Sequence, residues 1–228
     1  MKEPDIVKQI LSSLTPSDPS TSPIRAPLRI HFRETTLTTP GTHLPRSSSL
    51  HAHPPSFSVS ALALDNLSFP NCDLSPTTTA SSATSSSSND SAAKTPHYLI
   101  AALDIDPPFP SFPVMGPLLH SLTADLTLAN EMNIPEDGFI PLEGPSSGSE
   151  GDVVPYMGPA PPAWSTPHRY VFMMWEQPEG VTGEKIREEM GLDAEEGVGM
   201  MGRARWDQEG FERRWGLGRV VAGNYFVC

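Results

Sequence analysis

The sequence predicts a mainly β protein. Three observations carry that expectation: apolar runs that alternate at period two, Pro/Gly/Ser-rich stretches between them, and only brief helical patterns. The clearest run is His168-Arg169-Tyr170-Val171-Phe172-Met173-Met174-Trp175, which starts straight after Pro167. Proline biases the residue before it toward extended backbone, which favours entry into a strand here. His168 and Tyr170 then share one face of the strand, and Arg169 points to the other. There an ion pair supporting the loop suits Arg169 better than ligand contact. The loop ahead holds Pro155, Pro159, Pro161, Pro162 and Pro167. Its φ angles are largely preset, so it can hold a pocket wall still at little entropic cost. An imidazole and a phenol at a strand start, behind a rigid loop, suit ligand binding.

Along the chain, Pro4 to Leu14 reads as a short amphipathic helix with Ile6, Val7, Ile10 and Leu11 on one side, and Thr15 to Pro27 as a Ser/Pro/Thr connector. Residues 1–27 are therefore set apart as an N-terminal helix and connector. Leu28, Ile30 and Phe32 alternate as a strand, as does Phe57 to Ala61. Residues 75–93 are almost entirely Ser, Thr and Ala, too polar and small to offset their ordering entropy by burial. They read as a disordered surface insert that lengthens a hairpin connection before the next strand. That strand, His97 to Leu103, ends in Asp104-Ile105-Asp106-Pro107-Pro108. Carboxylates directly after a buried strand are either pocket groups or turn caps. Leu118 to Leu126 forms another strand, with His120 alone among leucines as a core histidine or a pocket group.

Gly183 to Asp193 and Asp207 to Trp215 read as helices, the first on the surface, the second pinned by Phe211 and Trp215. Ala194 to Gly202 reads as a flexible turn whose glycine spacing is too weak for a nucleotide loop. His31, His43, His51, His53 and His97 read as surface or loop residues.

The 228 residues fit one domain, or one domain plus tails. With 15 basic and 27 acidic residues, the formal net charge is −12. That charge argues against nucleic acid and anionic membrane surfaces as partners. No apolar run approaches the roughly 20 residues that cross a bilayer. Met1-Lys2-Glu3-Pro4-Asp5 is not followed by a secretory apolar core, so a cytoplasmic address is expected. Cys72 and Cys228 support neither a disulfide framework nor a zinc cluster, and no metal or cofactor is expected.

Four ordered motifs then stand out: Asp104-Ile105-Asp106-Pro107-Pro108; His120; Tyr156-Met157-Gly158-Pro159-Ala160-Pro161-Pro162; and His168-Arg169-Tyr170-Val171-Phe172 with Glu176-Gln177. The tail adds Arg205-Trp206-Asp207, Phe211 and Trp215-Gly216-Leu217-Gly218-Arg219-Val220-Val221-Ala222-Gly223-Asn224-Tyr225-Phe226. This order resembles the phosphatidylethanolamine-binding protein (PEBP) family, including its inhibitors of Raf kinase and carboxypeptidase Y, from about Leu28 to the last residue with the insert excepted.

The resemblance implies one domain, residues 28–228, built on a large antiparallel β-sheet packed on a smaller sheet, with short peripheral helices. It implies a small anion-binding pocket as well. By position, Asp104, Asp106, His120, His168 and Tyr170 fall on the family's pocket motifs, and Pro161 and Pro162 on the loop that rims it. In the family this pocket accepts phosphate-like anions and phosphoethanolamine head groups. Two imidazoles and a phenol would supply donors, and a nearby Asp would orient the imidazoles and raise their pKa. Ile105 and Pro107 depart from the usual turn. Leu118 and Ser121 stand where aromatics are usual, which implies a more open or differently shaped pocket. The Gly-Pro-Ala-Pro-Pro loop is similar to that of fungal and plant members and makes Trp164 a candidate rim aromatic.

The family default is a non-enzymatic protein that binds a small anionic ligand and regulates or inhibits a protein partner such as a kinase or protease. The alternative is recruitment to a fungal secondary-metabolite pathway, partnered with a pathway enzyme, assisting or catalysing the coupling of anionic maleic-anhydride-type polyketide units. Asp104, His120 and His168 would then serve as acid and base. A structural subunit with a vestigial pocket is a third option.

Overall fold

The computed structural model describes residue 11 and residues 28–45, 54–64, 95–129, 135–145, 152–192 and 198–228. In chain order the elements are β1 (Leu28–Phe32), β2 (Thr35–Leu37), β3 (Thr42–His43), β4 (Ser56–Ser60), α1 (Ala61–Leu64), β5 (Tyr98–Asp104), β6 (Leu118–Leu128) and β7 (Phe139–Glu143). There follow β8 (Asp152–Val154), β9 (Arg169–Glu176), α2 (Gly183–Met190), α3 (Met200–Arg203), α4 (Gln208–Trp215) and β10 (Ala222–Val227).

The strands hydrogen-bond in the order β2-β1-β4-β7-β6-β5-β9-β10-β3, with β8 on β6. All pairings are antiparallel except β10 with β3. Strand β6 belongs to both halves of this path. Its Leu118–Leu126 stretch pairs with β5, whereas Thr127 and Leu128 pair with β7. The ladder thus divides into a larger sheet (β3, β10, β9, β5, β6, β8) and a smaller one (β2, β1, β4, β7 and the end of β6).

Period two then dictates the layers. Tyr98, Ile100 and Ala102 of β5 join Tyr170, Phe172 and Met174 of β9 in a first core, shared with Leu28, Ile30, Val59, Ile140 and Leu142 of the smaller sheet. The opposite faces of β5 and β9 carry Leu99, Ala101, Leu103, Val171, Met173 and Trp175 into a second core, closed by Ile186 of α2 and Phe211 of α4. Both central strands are therefore buried on both faces, and each large side chain such as Phe172 contributes about 1.5–3 kcal/mol.

Asn224 ties the two sheets together. Its side-chain N–H donates to Leu28 O at 2.7 Å from a fully buried position on β10. Gln177 latches α2 to the larger sheet, donating to Asp125 Oδ1 (2.6 Å) and Val181 O (2.8 Å). Asp125 Oδ2 in turn accepts the N–H of Gly183 at 2.8 Å. A Cβ on Gly183 would come within 2.9 Å of that oxygen, which explains the glycine. Thr182 caps the start of α2 by accepting from Lys185, and left-handed Gly191 (φ 64°) ends it, earlier than the expected Asp193. Asp207 and Gly216 do the same for α4.

Some expectations change. β4 and β5 are not sheet neighbours, so the segment carrying residues 75–93 crosses from the smaller sheet to the larger one and is not a hairpin connection. Residues 75–93, Cys72, His51 and His53 lie outside the described residues, as does the Pro4–Leu14 segment apart from Leu11, which packs half-buried on the second core. Part of the supposed turn Ala194–Gly202 is helical, because α3 begins at Met200. His31 sits on β1, half-buried beside Ser58 Oγ (2.9 Å) and Thr36 Oγ1 (3.1 Å), with burial and then the Arg29 charge holding its pKa down. Among the described residues no helix is long and apolar enough to cross a membrane, and no group of three or more His, Cys, Asp and Glu side chains is placed to hold a metal ion.

Candidate anion site

Antiparallel pairing sets Asp104 at the end of β5 opposite Tyr170 near the start of β9. Directly opposed residues project from the same face, so both continue the first-core face to its end. His168 follows one step further. Its backbone is pinned to the last residue described, donating to Cys228 O at 2.7 Å and accepting from Cys228 N at 2.9 Å. The expected pairing of an imidazole and a phenol on one face is what the strand delivers, although β9 itself begins at Arg169.

His168 is 1% exposed and Asp104 3%. Nδ1 of the imidazole lies 2.8 Å from Asp104 Oδ2, and the other carboxylate oxygen accepts the Asp106 N–H at 2.9 Å. Burial, the largest single influence, pulls the His168 pKa down. The Asp104 hydrogen bond and charge, helped by Asp106 and the Pro108 carbonyl, outweigh it and leave the pKa raised. The second ring nitrogen is engaged as well. Nε2 faces Ser165 Oγ at 2.9 Å and Pro108 O at 3.2 Å. Ser165 donates its own proton to Thr166 O at 2.9 Å, so its oxygen is the acceptor from His168. The Ser165, His168, Asp104 chain therefore lacks the polarity of a nucleophile and its base.

His120 comes in from β6, its ring edge-on to Tyr170 with centroids 5.1 Å apart. Two bonds clamp it to the proline-rich loop: Met157 N–H donates to His120 O at 2.8 Å, and His120 Nδ1 lies 2.5 Å from Met157 O. A carbonyl only accepts, so Nδ1 carries a proton. Burial lowers the His120 pKa despite that bond and the Asp104 charge. The expectation that a nearby Asp raises both imidazoles holds for His168 and fails for His120, where desolvation dominates. Nε2 of His120 is buried without a hydrogen-bond partner, as are the hydroxyls of Tyr170 and Tyr156. Tyr170 lies near Asp104 without meeting it at hydrogen-bonding geometry. Burial first, and then that carboxylate, push its ionisation far upward.

Asp106 lies beside this group but faces away from it in function. Both of its oxygens are committed to Arg169, through Nη2 to Oδ1 at 2.8 Å and through Nε and the backbone N–H to Oδ2 at 2.9 and 2.8 Å. This is turn support, with Arg169 in the loop-bracing role expected of it. Pro161 is buried and Pro162 half-buried. Pro162 O accepts from Ser165 N at 2.9 Å, closing the turn that brings Ser165 to His168. Trp164 is 72% exposed on the rim, its ring 4.7 Å from Phe109. Leu118 and Ser121 are buried within β6.

Sequence reasoning missed Arg203. It is buried on α3, and its guanidinium donates to carbonyls of Val198 (2.8 Å), Leu119 (3.3 Å), His120 (3.0 Å) and Pro155 (2.9 Å). It thereby locks the His120 strand to the loop that carries Tyr156. A lone arginine after a glycine-rich stretch offered no signal of this. Ser165 was equally unmarked, since its role follows from a turn geometry that a run of prolines does not reveal.

The sequence model of the phosphatidylethanolamine-binding protein family matches residues 38–225, and the chain belongs to that family. It is 36% identical over 92 residues to the carboxypeptidase Y inhibitor of Saccharomyces cerevisiae, a match spanning 39% of this chain and 42% of that protein. Among solved structures, a carboxypeptidase Y inhibitor complexed with its cognate proteinase superposes with a TM-score of 0.59 at 21% identity, covering 98% of this chain and 92% of that one. A phosphatidylethanolamine-binding protein from Plasmodium vivax gives 0.53 at 12% identity, covering 100% and 96%. These likenesses fix the fold.

Proposed function

We propose that this chain is a non-enzymatic member of its family that binds a small oxyanion between His168, Tyr170 and His120 and inhibits a protein partner of the serine carboxypeptidase type. The observation that carries the ligand half is the group of buried polar atoms left without hydrogen-bond partners, His120 Nε2 and the Tyr170 and Tyr156 hydroxyls, beside the buried His168 ring. Buried polar atoms are nearly always satisfied, so such a cluster calls for a polar guest. Asp104 holds the imidazolium, Pro161 and Pro162 shape the rim, and Asp106 acts through Arg169. The partner half is supported by the likeness to the yeast carboxypeptidase Y inhibitor.

The metabolic alternative keeps one supporting observation, the 2.8 Å His168–Asp104 pair, which has the makings of an acid and base. Against it, both His168 N–H groups are already committed.

Purified protein added to a serine carboxypeptidase tests the partner half. Stoichiometric, saturable loss of peptidase activity with co-elution on a sizing column is expected. Full activity at excess protein would remove this partner class. Turnover of an anionic substrate that disappears in Asp104→Asn would favour the metabolic alternative.

A further inference from the structure

Among the described residues the exposed large apolar side chains are Phe112, Trp164, Met200 and Met201, and they sit on segments that meet around one end of the larger sheet. Residues 107–117 link β5 to β6, residues 155–168 lead into β9, and residues 198–206 carry α3. Hydrogen bonds join the first segment to the third: the Arg205 N–H donates to Met115 O at 3.0 Å and the Trp206 N–H to Pro117 O at 2.9 Å. The Phe109 and Trp164 rings, 4.7 Å apart, join the first to the second. Exposed apolar side chains scattered singly need no explanation, whereas a group of them on adjoining loops does.

The loop that carries Phe112 is braced from within. The Phe112 N–H donates to Phe109 O at 3.0 Å, Val114 N–H to Phe112 O at 2.9 Å and Met115 N–H to Pro107 O at 3.1 Å. Pro107, Pro108, Pro110, Pro113 and Pro117 preset its φ angles. An aromatic side chain held out on such a loop offers contact area with little ordering left to lose on binding, which is the property of an interface anchor.

Charge separates this face from the rest of the chain. None of the 27 acidic residues falls within 107–117, 155–168 or 198–206, although the formal net charge is −12. The exposed charge on these segments is Arg205, whose backbone stands in the left-handed region at φ 58°. Its Nε donates to Val114 O at 3.1 Å, which fixes the guanidinium beside the Phe112 loop.

We propose that this face docks the protein partner, with Phe112 and Trp164 entering an apolar depression whose edge is acidic opposite Arg205. This rests on the partner half of the reading above, inhibition of a serine carboxypeptidase, and names the surface that the inhibitor uses. An acidic-edged partner is repelled by the rest of so acidic a chain and admitted at the face that lacks carboxylates. Charge thus orients the encounter, and the aromatic side chains hold it. An anionic bilayer fits the face less well, because Arg205 alone would attract it.

Inhibition of a serine carboxypeptidase is titrated with the full native chain, Phe112→Ser, Trp164→Ser, the double variant and Arg205→Gln. Glu143→Gln, on β7 opposite the far end of β6, serves as control. Each aromatic variant is expected to weaken inhibition about tenfold or more, with the denaturation midpoint held and the control unchanged. Arg205→Gln should slow association at low salt, and its difference from the native chain should shrink as salt is raised. Undiminished inhibition by the double variant would overturn this face and leave the carboxypeptidase reading standing, and an Arg205→Gln that matches the native chain at every salt would overturn the acidic edge. No inhibition by the native chain would overturn both. Binding to phosphatidylcholine vesicles that the double variant loses, with inhibition intact, would give the face to a bilayer instead.

Discussion

Two buried imidazoles within one site have been driven in opposite directions, and each should write its own limb into the pH profile of stability. His168 has a folded pKa above its ordinary 6.5. A base raised in this way stabilises fully below the unfolded value, and the contribution is lost as pH climbs through the folded value. Unfolding midpoints should therefore fall as pH rises above about 6.5, and Asp104→Asn should flatten that limb. His120 is depressed, so below the same pH only the unfolded chain takes up its proton, and stability should fall again toward acid. Urea midpoints between about pH 5 and 9 check both signs. A third expectation concerns Asp106 and Arg169. The carboxylate is 1% exposed and the arginine side chain 37%. Arg169→Ala strands a buried charge and should cost about 2–3 kcal/mol. Asp106→Ala leaves a guanidinium that water can reach and should cost about 1 kcal/mol. Thermal denaturation of the two variants should show that order.

Among the elements, what was legible followed the period of the chain. The alternation in β9 was enough to put His168 and Tyr170 on one face, because period two fixes which side chains share a face, whereas Asp104 and His120 stayed between pocket and structural roles until the family resemblance was added. Polarity was not legible. Whether His120 gives or takes a proton depends on Met157 O, 37 positions away. Helix α3 was read as a turn because Gly197, Gly199 and Gly202 dominate its local composition. Its significance lies in Arg203, whose partners come from β6 and two loops and leave no local trace. Arg203→Met should cost about 2 kcal/mol or more by stranding buried carbonyls. It should also shift the His120 ring signals while leaving those of His168 nearly unchanged. A loss of stability with His120 undisturbed would reduce Arg203 to a packing role.

For the molecule as a whole, two sheets packed across one core bring the ends of β5, β6 and β9 together, and the proline-rich loop closes over them. The motifs around Asp104, His120, Pro161 and His168 meet at that junction, although they are far apart in the chain. The crossing from the smaller to the larger sheet could not be read, since a low-complexity segment carries no pairing information. We propose that residues 28–228 form one domain into which residues 75–93 are inserted. Shortening 75–93 should change stability by less than about 1 kcal/mol, because loop-closure entropy varies slowly with length. A collapse of the denaturation midpoint would show the segment to be part of the fold. The anion site is tested most directly by following the His120 and His168 imidazole signals by NMR as phosphate, phosphoethanolamine and a small dicarboxylate are added, with His168→Ala as control. Saturable shifts at both histidines with phosphate, abolished in the variant, are predicted. Silence at both rings through the whole titration would contradict the site.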